Sequence, residues 1–169
     1  MSERCPMCPG KYACVKGSGP ECNNYGLFIG EAPGREEDKQ GKPFVGKAGQ
    51  LLDNILKACK WERQDVFIAN VIKCRPPQNR VPKPEEIANC SGFLEKQIEV
   101  VNPEYIVCLG SVASNAIVGI PVSQARGKWF NYKHHKVICT YHPAYLLRNK
   151  EAKKLVWDDL SLLLQDMRH

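Results

Sequence analysis

Apolar residues gather in four short runs along the chain, at 25–29, 66–71, 105–109 and 136–140. Each run is rich in Val, Ile, Leu or Phe and is bounded by polar, Gly or Pro residues. That pattern predicts short buried strands. A second period lies between them. Leu51, Leu52, Ile55 and Leu56 within 50–60 recur at helical spacing, as do Leu155, Val156, Leu160 and Leu163 within 151–167. Further helices are predicted from Pro84, where Pro84-Glu85-Glu86 makes a good first turn, and over 111–118. Strands alternating with helices predict the α/β class: a three-layer α/β/α arrangement around a central four-stranded parallel sheet, with residues 1–169 forming one domain. The segment holding Arg126, Gly127, Lys128 and Trp129 reads as a polar loop, and His134 and His135 read as part of a basic loop.

In open parallel sheets, ligands bind beyond the carboxyl ends of the strands. Here those ends carry Gly30-Glu31, Asn70, Gly110-Ser111 and Tyr141-His142-Pro143. Three of the four present a hydrogen-bonding side chain, which points to one site built from Glu31, Asn70 and His142. The segment between the first strand and the first helix runs through Gly30-Glu31-Ala32-Pro33-Gly34 and Pro43-Phe44-Val45-Gly46-Lys47-Ala48-Gly49. Glycines allow close backbone approach, prolines fix the path and Phe44 offers a flat apolar face. A long loop of that kind carries function more often than packing. Taken alone, each feature also has a bland reading: Phe44 as a loop anchor, Asn70 as a turn cap, His142 as a cap of the next helix.

Composition narrows the class. No apolar run approaches the roughly 20 residues of a membrane span. The first residues, Met1-Ser2-Glu3-Arg4-Cys5, lack a signal peptide's apolar core, which predicts an intracellular location, cytoplasmic or nucleoid-associated. A net charge of +6, from 24 Lys and Arg against 18 Asp and Glu, suits a polyanionic partner and also serves solubility. Nine cysteines in a reducing compartment argue for metal ligation over disulfides. Cys108 and Cys139 lie in strand-like runs and read as core. Cys5 and Cys8 form a C-x-x-C pair, the tight spacing by which two thiolates grip one metal centre, and Cys14, Cys22, Cys74 and Cys90 remain unassigned.

Four motifs then occur in order: Gly30-Glu31-Ala32-Pro33-Gly34, Pro43-Phe44-Val45-Gly46, Asn70-Val71-Ile72-Lys73-Cys74-Arg75-Pro76-Pro77 and His142-Pro143-Ala144-Tyr145-Leu146-Leu147-Arg148. Together they resemble the iron–sulfur (family 4) uracil-DNA glycosylases, over nearly the whole chain from Cys5 onward. The resemblance implies a [4Fe–4S] cluster on Cys5, Cys8, Cys74 and Cys90, spaced C-x2-C-x65-C-x15-C. Cys5, Cys8, Cys14 and Cys22 stand as a rival local set that would hold zinc.

The activity implied is hydrolysis of the N-glycosidic bond of uracil in DNA, single- or double-stranded, by a monomer that flips the base. Phe44 would stack on the pyrimidine, Asn70 would read its edge, and His142 would donate to its O2 as negative charge develops. Glu31 and Ala32 would border the base. Glu31 would orient water or steady the positive sugar, or else brace the loop. Leu147, more than Leu146, would fill the vacated stack from a short loop at 142–148. Lys47, Arg75, Arg80 and Arg148 would meet phosphates, with Arg126, Lys128 and the backbone N–H groups of Ala48 and Gly49 as further candidates. The alternative is a non-catalytic or differently specific DNA-binding member of the same superfamily, acting on another damaged base or serving a polymerase.

Overall fold

A computed structural model describes residues 14–168 of the chain. Five strands form one sheet: β1 (Leu27–Gly30), β2 (Phe67–Asn70), β3 (Tyr105–Leu109), β4 (Trp129–Tyr132) and β5 (His135–Thr140), in the order β2-β1-β3-β5-β4. β2, β1, β3 and β5 run parallel, and their residues are buried almost throughout. This explains their continuous apolar runs, because a strand covered on both faces has no polar side.

β4 corrects the expected four-stranded sheet. It pairs antiparallel with β5 at the sheet edge, through a two-residue turn at Lys133 and His134 in which Lys133 takes φ 53°. Its residues are only partly covered, so no buried run marked it. The segment read as a polar loop therefore contains a strand from Trp129 onward. His135, read as a loop residue, begins β5 and is enclosed, its Nδ1 within 2.5 Å of the Pro103 carbonyl oxygen.

The period of two within each strand sends alternate side chains to opposite faces. Leu27, Ile29, Ala69, Ile106, Cys108, Val137 and Cys139 pack with α3 (Pro84–Val101), α4 (Ser111–Val118) and α5 (Val122–Ala125). Phe28, Ile68, Val107, Leu109 and Ile138 pack with α2 (Lys47–Ala58), α6 (Pro143–Arg148) and α7 (Lys153–Met167). The three layers follow from that division. Cys108 and Cys139 are core residues on neighbouring strands, as expected.

Two helices fall where loops were expected. α1 (Arg35–Gln40) buries no residue and has no apolar period to reveal it. α6 replaces the expected loop at 142–148, with Pro143 at its first turn and His142 as its N-cap. Cys90 lies within α3 and is buried.

Candidate active site

Beyond the carboxyl ends of β1, β2 and β5 lies a cavity of about 340 Å³. Its lining includes Glu31, Ala32, Phe44, Asn70 and His142, together with Glu37, Lys47 and Arg80. Parallel register explains the convergence: Gly30 is paired with Asn70 on the neighbouring strand, and His142 follows β5 by two residues. Gly30 has to lack a side chain. A Cβ there would lie 2.5 Å from the Phe44 ring and 2.7 Å from Asn70 Oδ1.

Asn70 is 2% exposed, and among the described residues its Oδ1 has no hydrogen-bond partner. A buried unsatisfied acceptor is costly and uncommon in a native fold. It also removes the turn-cap reading, since a capping Asn would use that oxygen. The Asn70 backbone carbonyl is held separately. It accepts from the enclosed Lys73 ammonium at 2.5 Å, which also donates to Gln97 Oε1 at 2.5 Å. Burial pulls Lys73 down to about 7, while Cys90 and Cys14 act in the opposite direction.

His142 plays two parts at once. Its Nδ1 accepts from the Ala144 N–H at 3.0 Å, capping α6. An Nδ1 that accepts from a backbone N–H carries no proton, so the neutral ring keeps its proton on Nε2. Burial pushes His142 down to about 4, with Glu37 acting in the opposite direction, so the ring is neutral at physiological pH. Phe44 stacks against it, with ring centroids 5.4 Å apart and planes at 27°. Burial raises the Glu31 carboxyl above the usual carboxylate range.

Glu37 is a site residue that reading the sequence missed. Its Oε1 accepts from Gly34 N–H at 3.0 Å, and its Oε2 accepts from Val45 and Gly46 N–H at 2.7 Å each. One carboxylate thus ties the start of α1 to the strip that follows Phe44. The available signal was its place three residues after Gly34, the capping-box spacing. Arg63, Asp53, Lys73 and Gln97 were missed as well. Only Lys73 left a trace, as a lysine within an apolar run.

The basic candidates divide. Lys47 and Arg80 line the cavity, but Arg80 holds Glu86 through two contacts of 2.6 and 3.1 Å. Arg75 donates to Asn79 at 2.7 Å. Arg126 is engaged with the buried Asp159 at 2.9 Å, which removes it from the free phosphate candidates. On α6, Leu146 is buried and Leu147 is 45% exposed. Arg148 is exposed beside it.

Cys5 and Cys8 lie outside the described residues. Among the described residues, no three His, Cys, Asp or Glu side chains are grouped to hold a metal. Cys22 is exposed. Lys73 is the relevant observation for a cofactor. It is a fully enclosed ammonium whose two acceptors are neutral, with Cys90 and Cys14 as nearby groups able to carry negative charge. A negatively charged thiolate-held group fits that surrounding. Among the described residues, no helix is long and apolar enough to cross a membrane.

The fold and cavity define an α/β protein with a pocket at the carboxyl ends of its sheet strands, lined by Phe44, Asn70 and His142 among others. A model of the Uracil DNA glycosylase superfamily matches residues 17–161. The chain is 44% identical to the type-4 uracil-DNA glycosylase of Thermotoga maritima, over 94% of this chain and 86% of that one. It is 41% identical to the type-4 uracil-DNA glycosylase of Archaeoglobus fulgidus, over 89% and 80%. A type-5 uracil-DNA glycosylase of Pyrobaculum aerophilum is 34% identical, over 82% and 69%. The chain belongs to the uracil DNA glycosylase superfamily, and within it to the type-4 group.

Proposed function

We propose that this protein hydrolyses the bond between uracil and deoxyribose in DNA and leaves an abasic site. The carrying observation is Asn70 Oδ1, a buried acceptor without a partner among the described residues, at a cavity whose walls include an aromatic ring and a neutral histidine. Uracil N3–H would satisfy that oxygen, and the Asn70 amide N–H would meet uracil O4. Cytosine offers a lone pair at N3 and donors at its N4, the opposite pattern. A buried mismatch of that kind costs the wrong base heavily.

The uracil would enter on the Phe44 face, rotated from the stack or taken from a single strand. As the C1′–N1 bond lengthens, its electron pair moves to the base and positive charge grows on the sugar. His142 Nε2–H would donate to O2, where the negative charge collects. A donor already fixed in place lowers the barrier without reorganising. Water then forms the new bond to C1′ and loses a proton to solvent, and the departing uracil anion takes one up to leave as the neutral free base. Glu31, on the cavity wall, would orient that water or steady the sugar's charge.

Ala144 lines the cavity, and Leu147 and Arg148, three and four residues on, share its helix face. Leu147 would fill the gap left by the flipped base, and Arg148 would hold a phosphate. Lys47, Arg75 and Arg80 would add phosphate contacts, Arg80 by exchanging Glu86 for the DNA. Cys5, Cys8, Cys74 and Cys90 would hold a [4Fe–4S] cluster, which when bound cross-links the N-terminal segment to the loop after β2.

The test is alkali cleavage of labelled oligonucleotides carrying uracil, with cytosine and thymine controls, single- and double-stranded, using anaerobically purified protein. Cleavage at uracil alone is expected. No cleavage by protein shown to hold iron would overturn the proposal.

A further inference from the structure

Phe44 stands in a backbone conformation that a bulky residue rarely adopts, with φ 54°. Its ring is nevertheless enclosed, at 5% exposure. Something other than its own preference must hold it there. One side chain collects the surrounding carbonyls. Arg63, in the short turn before β2, donates from Nη1 to the Pro43 carbonyl at 2.9 Å. Its Nη2 donates to the Phe44 carbonyl and to the Gly49 carbonyl, the latter at 3.3 Å. Its Nε donates to Asp53 Oδ1 on α2 at 2.5 Å, which orients the fork.

The slot is tight on its other side as well. A Cβ at Gly49 would overlap the Phe44 carbonyl. The peptide after Phe44 is therefore packed against the first turn of α2 and held by a guanidinium. A planar fork with several donors can bind a set of carbonyls that a lysine's single ammonium cannot.

We infer that Arg63, oriented by Asp53, is a positioning residue that holds the Phe44 ring in place for base stacking. The inference rests on the uracil reading above. Arg63 is not among the residues that line the cavity. It acts by fixing the backbone from which the ring projects. With that grip lost, the Phe44 backbone can relax toward its preferred region and swing the ring off the base plane.

A role through Phe44 separates from a merely structural one by what fails. The inhibition constant for free uracil reports the base subsite. The affinity for abasic-site DNA reports the remaining surface, since that ligand has no base to stack. In Arg63→Ala, weaker inhibition by uracil and slower single-turnover excision are expected, each by about ten- to a hundredfold. Affinity for abasic DNA should stay within about twofold. Arg63→Lys and Asp53→Asn should fall between, and they serve if the alanine variant folds poorly. Millimolar guanidinium should restore part of the Arg63→Ala rate.

The decisive arm is a double-mutant cycle. In a Phe44→Ala background, Arg63→Lys should change uracil inhibition no further, because its route is already cut. Additive losses would overturn the inference, as would wild-type uracil inhibition in the Arg63 variants. A parallel loss of abasic-DNA affinity would also overturn it by showing general damage. If the unaltered protein excises no uracil, the functional reading fails and this inference fails with it.

Discussion

The sheet carries a cavity at each end, and the larger one is the quieter. At the carboxyl ends of the strands the cavity is about 340 Å³; at the opposite ends, bordered by Tyr25, Trp61, Tyr105, Lys136 and Asp166, it is about 780 Å³. In the larger one Tyr105, Lys136 and Asp166 satisfy each other. Tyr105 donates to Asp166 at 2.6 Å, Lys136 donates to the same carboxylate oxygen at 3.0 Å, and Tyr25 stacks on Trp61 at 5.5 Å. Burial, and after it the Asp166 hydrogen bond, keep the Tyr105 phenol protonated. In the smaller one Asn70 Oδ1 has no partner among the described residues, and His142 uses Nδ1 while Nε2 retains its proton. Open hydrogen-bonding capacity, not volume, marks a site, because a fold leaves such groups unpaired only at a cost.

Removing the unpaired acceptor tests that contrast most sharply. Asn70→Ala should lower kcat/KM for uracil-DNA by about a thousandfold. The melting temperature should hold within a few degrees, since Oδ1 gives up no bond in the free protein. Steady-state excision and thermal unfolding measure both.

His142→Leu should cost about a hundredfold in single-turnover rate, through loss of one fixed donor to the departing base. The pH dependence has a definite sign. His142 is held at about 4 when folded and titrates near 6.5 when unfolded, so the unfolded chain binds more protons between those values. Stability attributable to His142 is complete above about 6.5 and is lost as pH falls toward about 4. Melting curves from pH 7 to 4 should show the decline, and His142→Leu should flatten it. The excision rate should show no inflection near 6.5 assignable to His142.

Glu37→Gln keeps the size but replaces one acceptor oxygen with a donor, against three backbone N–H groups. A rate loss of about tenfold and a melting temperature lower by about 3 °C are expected. The smallest effect belongs to the opposite cavity. Asp166→Asn weakens a partly exposed pair, so the melting temperature should drop by about 1 °C and excision should not change. An excision defect in that variant would break the contrast between the two ends.

Much of this was legible in the residues themselves. The runs at 66–71, 105–109 and 136–140 announce their strands because a doubly covered strand is apolar throughout. Asn70 and His142 could be singled out because they sit where such runs end. β4 was not legible, since an edge strand covered on one side leaves only a weak alternation over four residues. α1 and α6 were missed because neither carries enough apolar period. Glu37 lay within a run of charges that looks like any solvated face, and Arg63 lies 19 residues from the Phe44 carbonyl it holds.

The sequence by itself determined the α/β class, the order along the chain of the four parallel strands and which residues would lie at their carboxyl ends. These follow from local periodicity and chain direction, which need no knowledge of distant contacts. The tertiary structure alone decided that Asn70 Oδ1 stays unpartnered, that His142 caps α6 with one nitrogen and keeps a proton on the other, and that Arg63 and Glu37 hold the Phe44 segment. Those are statements about which groups meet, and burial and hydrogen-bond satisfaction acquire values only once the chain has folded.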